Sequence, residues 1–262
     1  MSADVLLDVE DSGVARLRLN RPEASNGVTA DSLRTLHELI LQCHGDPRVR
    51  AVLFTGEGDN FCAGGDVRDF AAKGEGLPDY LREATAWLQL AVAALIQLRM
   101  PVVTLVQGFA AGGGGLGFVC ASDIVLCGES SKFMSAATRV GMAPDGGASV
   151  TLSRIVGHRR ALELVLTDRV LAADEALEWG LVTRVVPDDE LAAEGEKLAT
   201  KLAAGPTQAL GEAKRLLWDG LGRGVHDCLP DEARTVSELS GSEDAREGLA
   251  AVIEKRRPEY RR

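Results

Sequence analysis

One carboxylate is set apart by its neighbours. In 139-RVGMAPDGGAS-149, Asp145 sits between Pro144 and the pair Gly146-Gly147, among small and apolar residues. An acid in such a place has two readings. Its side chain can cap the helix that follows, accepting a first-turn N–H. It can also act in proton transfer, because desolvation lifts a carboxyl above its free pKa of ~3.9 and makes it a better base. The local pattern leaves both open.

Two glycine loops supply a second kind of chemistry. The first is Cys62-Ala63-Gly64-Gly65-Asp66 and the second is Gly112-Gly113-Gly114-Gly115. Each follows an apolar run expected to be a buried strand, and each opens an expected helix. First-turn N–H groups have no acceptor inside the helix. Glycine lets a ligand oxygen approach them, and the helix dipole adds positive potential. One such loop is explained by a tight turn or by close helix–sheet packing. Two of them facing one another can aim two N–H donors at a single oxygen, and loss of one donor from such an oxyanion hole costs ~10²–10³ in rate.

Nucleotide readings of the same glycines fail. Gly112-x-Gly114-x-x-Gly117 matches a dinucleotide fingerprint, which also needs an acid about 20 residues on. The stretch 133-FMSAATRVGM-142 offers none, and the loop lies far from the N-terminal strands. No Lys-Ser/Thr follows any glycine loop, which excludes a P-loop.

The elements that must hold these residues follow from periodicity. Val5–Val9 and Val14–Leu19 read as strands around the turn Asp11-Ser12-Gly13. Thr29–His44 reads as a helix with Leu33, Leu36, Ile40 and Cys43 on one face. Arg50–Thr55, Val102–Val106 and Asp123–Cys127 read as buried strands. The segment 71-AAKGEGLP-78 reads as a mobile surface loop, and Asp79–Leu98 as a long helix carrying Leu88, Ala91, Val92 and Leu95. From Ser149 the chain is expected to be helical, interrupted only by Val182–Val186. Strand–helix alternation with a helical tail argues an α/β protein. No internal repeat and no linker appears.

Bulk properties narrow the partners. A net charge of −10 in 262 residues, with no basic run longer than Lys255-Arg256-Arg257, argues against nucleic acid. No apolar run of about 18 residues is present, so no membrane span is expected. The N-terminus lacks the basic start of a signal peptide. Five cysteines without a CxxC pair read as reduced buried thiols of a cytoplasmic protein. The four histidines are scattered, so no metal site is expected.

The chain resembles the crotonase (enoyl-CoA hydratase/isomerase) superfamily along nearly its whole length. The resemblance rests on 20-NRPEASN-26, 61-FCAGGD-66, 101-PVVTLVQGFAAGGGG-115, 122-SDIVL-126, 132-KF-133, 170-VLAADEALEWGLVTRVV-186 and 246-REGLAAVIEKRRPEY-260. Order and spacing together make it specific. It implies an α/β fold with a crotonase-like ββα spiral core, over residues 1–200, and a C-terminal helical trimerisation region, over 201–262. It implies an acyl-CoA thioester substrate, no cofactor beyond the coenzyme A of that substrate, and a homotrimer or dimer of trimers.

By motif position, the oxyanion-hole donors are the N–H groups of Gly65 and Gly114. The segment Glu23-Ala24, with Ala63, Asp66, Val67, Arg68, Gly113 and Ala137, falls to substrate and CoA binding. Glu23 stands where hydratases often carry a basic residue. Arg68 is placed to face the CoA phosphates, and Lys255 to reach the CoA of a neighbouring subunit. For either cation a solvated surface charge is an equal alternative.

The resemblance also separates chemistries. Hydratases similar to this chain use two glutamates, at the positions of Gly117 and Ala137 here. Both acids are missing. Asp145 matches the acid of dienoyl-CoA isomerases and of phenylacetate-pathway enoyl-CoA isomerases. It also matches the nucleophile of 4-chlorobenzoyl-CoA dehalogenases, which the chain resembles through 110-AAGGGGLG-117, 153-SRIVGHRRALELVLT-167 and 179-WGLV-182. Their histidine base has no counterpart between His44 and His158, and their tryptophan falls at Ala137. The expectation is double-bond isomerisation with Asp145 as acid and base. The alternatives are a hydratase or aryl-CoA hydrolytic enzyme using Asp145, or an inactive acyl-CoA-binding protein. Ser135, Thr138, Arg139 and Ser149 are further polar candidates, with a surface ion pair the commoner fate for Arg139.

Overall fold

The computed structural model describes residues 3–260. The chain opens with the antiparallel hairpin β1 (Val5–Val9) and β2 (Val14–Leu19). Helix α1 (Ala30–Gly45) follows. Thr29 and Ser32 close a reciprocal capping box at its start. Its face of Leu33, Leu36, Ile40 and Cys43 is buried, as the spacing predicts.

Next come β3 (Ala51–Gly56), α2 (Val67–Ala72), α3 (Leu77–Gln97), β4 (Val102–Val106), β5 (Phe109–Ala111) and α4 (Gly112–Ala121). Then follow β6 (Ile124–Gly128), β7 (Lys132–Met134), α5 (Ala148–Val156), α6 (His158–Thr167), β8 (Leu171–Ala172), α7 (Ala173–Glu178) and β9 (Arg184–Val186). The chain ends in α8 (Leu191–Ala203), α9 (Thr207–Gly220), α10 (Val225–Ser240) and α11 (Glu243–Glu254). Among the described residues no helix is long and apolar enough to cross a membrane.

The strands form two sheets. The larger has the order β1-β2-β3-β4-β6-β9, and the smaller β5-β7-β8. Strands β2, β3, β4, β6 and β9 run parallel. After β4 the chain crosses to β5, and after β6 to β7, so each winding delivers one strand to each sheet. This is a ββα spiral. Isolated parallel bridges from Cys62 to Ala110 and from Val28 to Gly65 carry the small sheet on through the first glycine loop.

The large sheet is covered on both faces, which explains why its inner strands β3, β4 and β6 are nearly all apolar. Ala15, Leu17, Val52, Phe54, Val102 and Val106 belong to the main core with α1, α3 and α4. The alternate residues Val14, Ala51, Leu53, Val103 and Leu105 pack with Leu191, Ala199 and Ala203 of α8.

Two expectations are corrected. The segment 71–78 is not an irregular loop. Helix α2 runs to Ala72, a 3-10 turn spans Gly74–Gly76, and α3 starts at Leu77. Pro78 sits in the first turn of α3, where a missing N–H leaves no bond unmade. Strands β5, β7 and β8 are two or three residues each, too short for periodicity to mark them, and β8 breaks the run expected to be helical from Ser149.

Helix α9 is tied into the core by a buried cation. Lys214 Nζ lies 2.8 Å from Asp123 Oδ2 and donates to Leu95 O at 3.0 Å. Asp123 also accepts from Val102 N and from Trp218 Nε1. In contrast, α9–α11 leave Leu217, Val225, Val236, Leu249, Val252 and Ile253 in solvent, each at least 66% exposed.

Candidate active site

The first glycine loop is fixed by backbone pairing. Val28 N donates to Gly64 O at 2.8 Å, and Asp66 N donates to Val28 O at 3.0 Å. Val28 therefore pairs with the atoms on either side of Gly65. In a parallel bridge this turns the Gly65 N–H to the opposite side, away from Val28. Gly64 has φ +100°, a conformation that needs glycine. The ring of Phe70, one turn into α2, covers the Cα of Gly65, and a Cβ there would run into it. Phe70 in turn packs edge-on to Tyr80 at 6.1 Å between ring centres.

The second loop is the first turn of α4 itself. Ala111 caps it in extended conformation without a side-chain bond, so the N–H groups of Gly112 to Gly114 have no intrahelical or capping acceptor. The two loops touch. A Cβ on Gly112 would stand 3.3 Å from Gly64 Cα and 4.0 Å from Gly65 N. One on Gly114 would meet Val28 Cγ2 at 3.0 Å, Cys62 Sγ at 3.2 Å and Gly64 O at 3.3 Å. The glycines thus bring the Gly65 peptide and the start of α4 face to face. Cys62 lies behind them, fully buried, with Sγ 3.2 Å from Asn26 O. Burial pushes its thiol up to about 12, so it is an inert packing group.

Asp145 comes to the same place from the loop between β7 and α5. It does not cap α5. That role falls to Gly147 (φ +78°), with no side-chain bond. The Asp145 carbonyl, not its carboxylate, accepts from Ala148 N at 3.0 Å. The carboxylate rests on Gly113, where any Cβ would overlap Oδ1, and Leu88 Cδ2 closes the same spot. A Cβ on Gly117 would meet Gly146 O at 3.0 Å. Residues 113 and 117, four apart on one face of α4, are glycines because the turn 145–146 settles on them. Burial raises the Asp145 pKa above 3.8, opposed by its own backbone N–H. No ion pair and no bond to another described residue holds the carboxylate.

The other sequence-selected residues divide. Ala63 N donates to Ser25 O at 3.0 Å, which sets Ala63 beside the 3-10 turn containing Glu23 and Ala24. Arg21 Nη2 bonds Asp66 Oδ2 at 2.9 Å and joins the same two segments. Asp66 is fully engaged, since its Oδ1 accepts from Arg68 N and Asp69 N as the cap of α2. Val67 and Arg68 are exposed on the first turn of α2, and the Arg68 guanidinium has no partner among the described residues. Lys255 ends α11 in left-handed conformation, exposed and likewise unpaired among the described residues. Ala137 lies in the loop that carries Asp145, where it opens the 3-10 turn Thr138–Val140. Arg139 turns to Asp168, with Nε 2.6 Å from Oδ2.

Phe70, Leu88 and Asp168 were missed. The helical stripe marks Leu88 only as core. Phe70 lies five residues beyond Gly65 and gives no local signal of its contact. Asp168 meets Ala136 and Arg139 from about thirty residues away, beyond any periodic pattern.

Two facing glycine loops and one half-buried carboxylate define a site suited to stabilising an oxyanion beside a proton-transfer group. Residues 9–262 match the family model described as enoyl-CoA hydratase/isomerase. The chain belongs to that family and has its crotonase fold. It is 35% identical over 259 residues to the 1,2-epoxyphenylacetyl-CoA isomerase of Escherichia coli strain K12, covering 98% of each chain. It is 33% identical over 251 residues to 4-chlorobenzoyl coenzyme A dehalogenase-2 of an Arthrobacter species, covering 95% of this chain and 91% of that one. The crystal structure of an enoyl-CoA hydratase from Mycobacterium smegmatis superposes with a TM-score of 0.92 at 31% identity over 99% of both chains. These relatives are named for three different reactions on CoA thioesters.

Proposed function

We propose that the protein isomerises the double bond of an enoyl-CoA thioester, with Asp145 as its proton shuttle. The thioester carbonyl oxygen accepts the N–H groups of Gly65 and Gly114. The Asp145 carboxylate removes a proton from the carbon next to the carbonyl of a 3-enoyl thioester. The electron pair moves into the carbonyl and gives a dienolate whose oxyanion the two N–H groups stabilise. Asp145, now protonated, returns the proton two bonds further on, and the electrons flow back to leave the conjugated 2-enoyl product. A carboxyl raised by burial is a better base than a free one, and the proton it takes is the one it returns.

One observation carries this reading. The Asp145 carboxylate rests on the first turn of α4 without a paired cation, and the two positions of hydratase glutamates are Gly117 and Ala137. Addition of water needs a second group to hold it, and one carboxylate suffices for a proton shift. Nucleophilic attack on an aryl carbon would use the same carboxylate, but it needs a base for ester hydrolysis. At Gly113, where the Asp145 carboxylate rests, α3 brings the apolar Leu88, which is no base.

The turn 22–24, Ala63 and the start of α2 are assigned to CoA, with Arg68 for a phosphate. The exposed apolar side chains of α9–α11 support assembly with further copies, as a trimer or a dimer of trimers.

The test is direct. Incubate the protein and its Asp145→Asn variant with a 3-enoyl-CoA and follow conjugation by ultraviolet absorbance and product by mass. Conversion without mass change, lost in the variant, is the expected result. Equal rates in both remove Asp145 from the mechanism. A gain of one water, or release of chloride from a chloroaryl-CoA, replaces isomerisation with another reaction.

A further inference from the structure

The loop that carries Asp145 is staked down by a residue outside it. Ala136, at the start of this loop, has φ +59°, a left-handed conformation disfavoured for a residue with a Cβ. Its N–H donates to Asp168 Oδ1 at 2.9 Å. The other oxygen of that carboxylate accepts from Arg139 Nε at 2.6 Å, and the Asp168 carbonyl accepts from Arg139 Nη2 at 3.4 Å. Between them, Thr138 Oγ1 donates to Val165 O at 3.0 Å. Residues 136, 138 and 139 are thus all fastened to the end of α6.

Asp168 is built for this task. It follows α6 directly and is itself left-handed, at φ +49°. Its side chain is 14% exposed, against 60% for Arg139. The carboxylate therefore faces inward, toward the loop backbone. Strain of this kind persists only where surrounding bonds over-determine it. At the far end of the same loop, Gly146 and the Asp145 carboxylate rest on Gly113 and Gly117. The loop is fixed at both ends, by α6 and by α4, and Asp145 lies at the second fixed point.

We infer that Asp168 is a positioning residue for Asp145, holding the 136–139 kink so that the loop delivers the carboxylate onto Gly113. It also draws Arg139 toward α6. This inference rests on the isomerase reading for its kinetic consequence, but its structural consequence is independent of the reaction.

The experiment compares Asp168→Ala, Asp168→Asn, Asp168→Ala/Ala136→Gly and Ala136→Val with wild type and Asp145→Asn. Misplacement by an ångström costs up to about 10²-fold, so Asp168→Ala is expected to lower kcat by about 10- to 100-fold. KM changes less than kcat, because the turn 22–24, Ala63 and the start of α2 lie outside the kink and only Ala137 of the assigned binding residues lies within it. Asp168→Asn keeps the Oδ1 acceptor for Ala136 and stays near wild type. Adding Ala136→Gly to Asp168→Ala restores much of kcat, since glycine adopts φ > 0 freely. Ala136→Val, which leaves Asp168 intact, loses kcat as Asp168→Ala does, and it serves if Asp168→Ala does not fold.

Crystals of Asp168→Ala, or of Ala136→Val in its place, are expected to show residue 136 out of the left-handed region and Asp145 displaced from Gly113. An unmoved Asp145 overturns the inference whatever reaction wild type performs. An isomerase that needs Asp145 but ignores Asp168→Ala and Ala136→Val overturns it while leaving the isomerase reading intact. A fall in KM-determined binding with unchanged kcat also overturns it.

Discussion

The carboxylate of Asp145 occupies the space that a side chain at Gly113 would need. A built Cβ there overlaps Oδ1 and meets Leu88 Cδ2 at 2.9 Å. Leu88 is buried in α3, whereas no bond to another described residue holds the Asp145 carboxylate, so the carboxylate is the group that gives way. Gly113→Ala is therefore expected to displace Asp145 and lower kcat by about 10²-fold. Overpacking should also cost about 1–3 kcal/mol of stability. Steady-state kinetics and denaturant unfolding of the variant check both effects. Wild-type kcat in Gly113→Ala would show that the carboxylate contact has no bearing on turnover.

Asp145 should lower stability near neutral pH. Its folded pKa is raised above 3.8 by burial, so the folded state holds the proton more tightly than the unfolded chain. The favourable contribution of the protonated form is complete below the unfolded pKa. It is lost as pH rises through the higher folded value. Asp145→Asn fixes a neutral side chain and is expected to raise Tm near neutral pH. The gain should vanish below the ordinary carboxylate range, where both proteins are neutral at this position. A lower Tm for the variant at neutral pH would mean that the charge is stabilised by contacts.

Gly65 and Phe70 should be energetically coupled. The ring of Phe70 lies where a Cβ on Gly65 would go. Gly65→Ala is expected to push the ring or the peptide aside and to lose about 10-fold or more in rate, as for a misaimed oxyanion donor. Phe70→Ala removes the obstacle at a stability cost of about 2 kcal/mol, the transfer value of a half-buried ring. The double variant should be less impaired than the sum of the two. Strict additivity in that cycle would argue that the ring does not set the Gly65 peptide.

Lys214 anchors the helical tail. Burial pulls its ammonium below the usual lysine range, while Asp123 acts in the opposite direction. Removing one partner of a buried pair strands the other, so Lys214→Ala should cost about 3–5 kcal/mol. Lys214→Met, which refills the volume, should cost less than Lys214→Ala. Unfolding midpoints give the comparison. Equal small losses in both variants would place the ion pair among the weak contacts.

The apolar faces of α9–α11 predict assembly. Ile253 and Val252 are 79% and 78% exposed in the single chain. Sedimentation equilibrium is expected to give the mass of three or six copies, and Ile253→Asp to release smaller species. A wild-type mass of one copy would leave these side chains without the proposed cover.

Much of this protein was determined locally. The alternating pattern of Val14–Leu19, the apolar stripe Leu33–Leu36–Ile40–Cys43 and the glycine pairs after buried runs need no distant partner to be read. They specify an α/β chain with two glycine loops, and they single out Asp145. What Asp145 does in the fold was beyond them. A helix cap and a half-buried acid set on α4 are both consistent with Pro-Asp-Gly-Gly, and only the packing of residues 145–146 on Gly113 and Gly117 decides for the second. The same holds for Arg139, whose partner Asp168 is distant in sequence, and for β5 and β7, which exist because they pair with each other. Hydrophobic periodicity and turn chemistry are properties of neighbours along the chain. The direction of a carboxylate is a property of neighbours in space, and the fold supplies them.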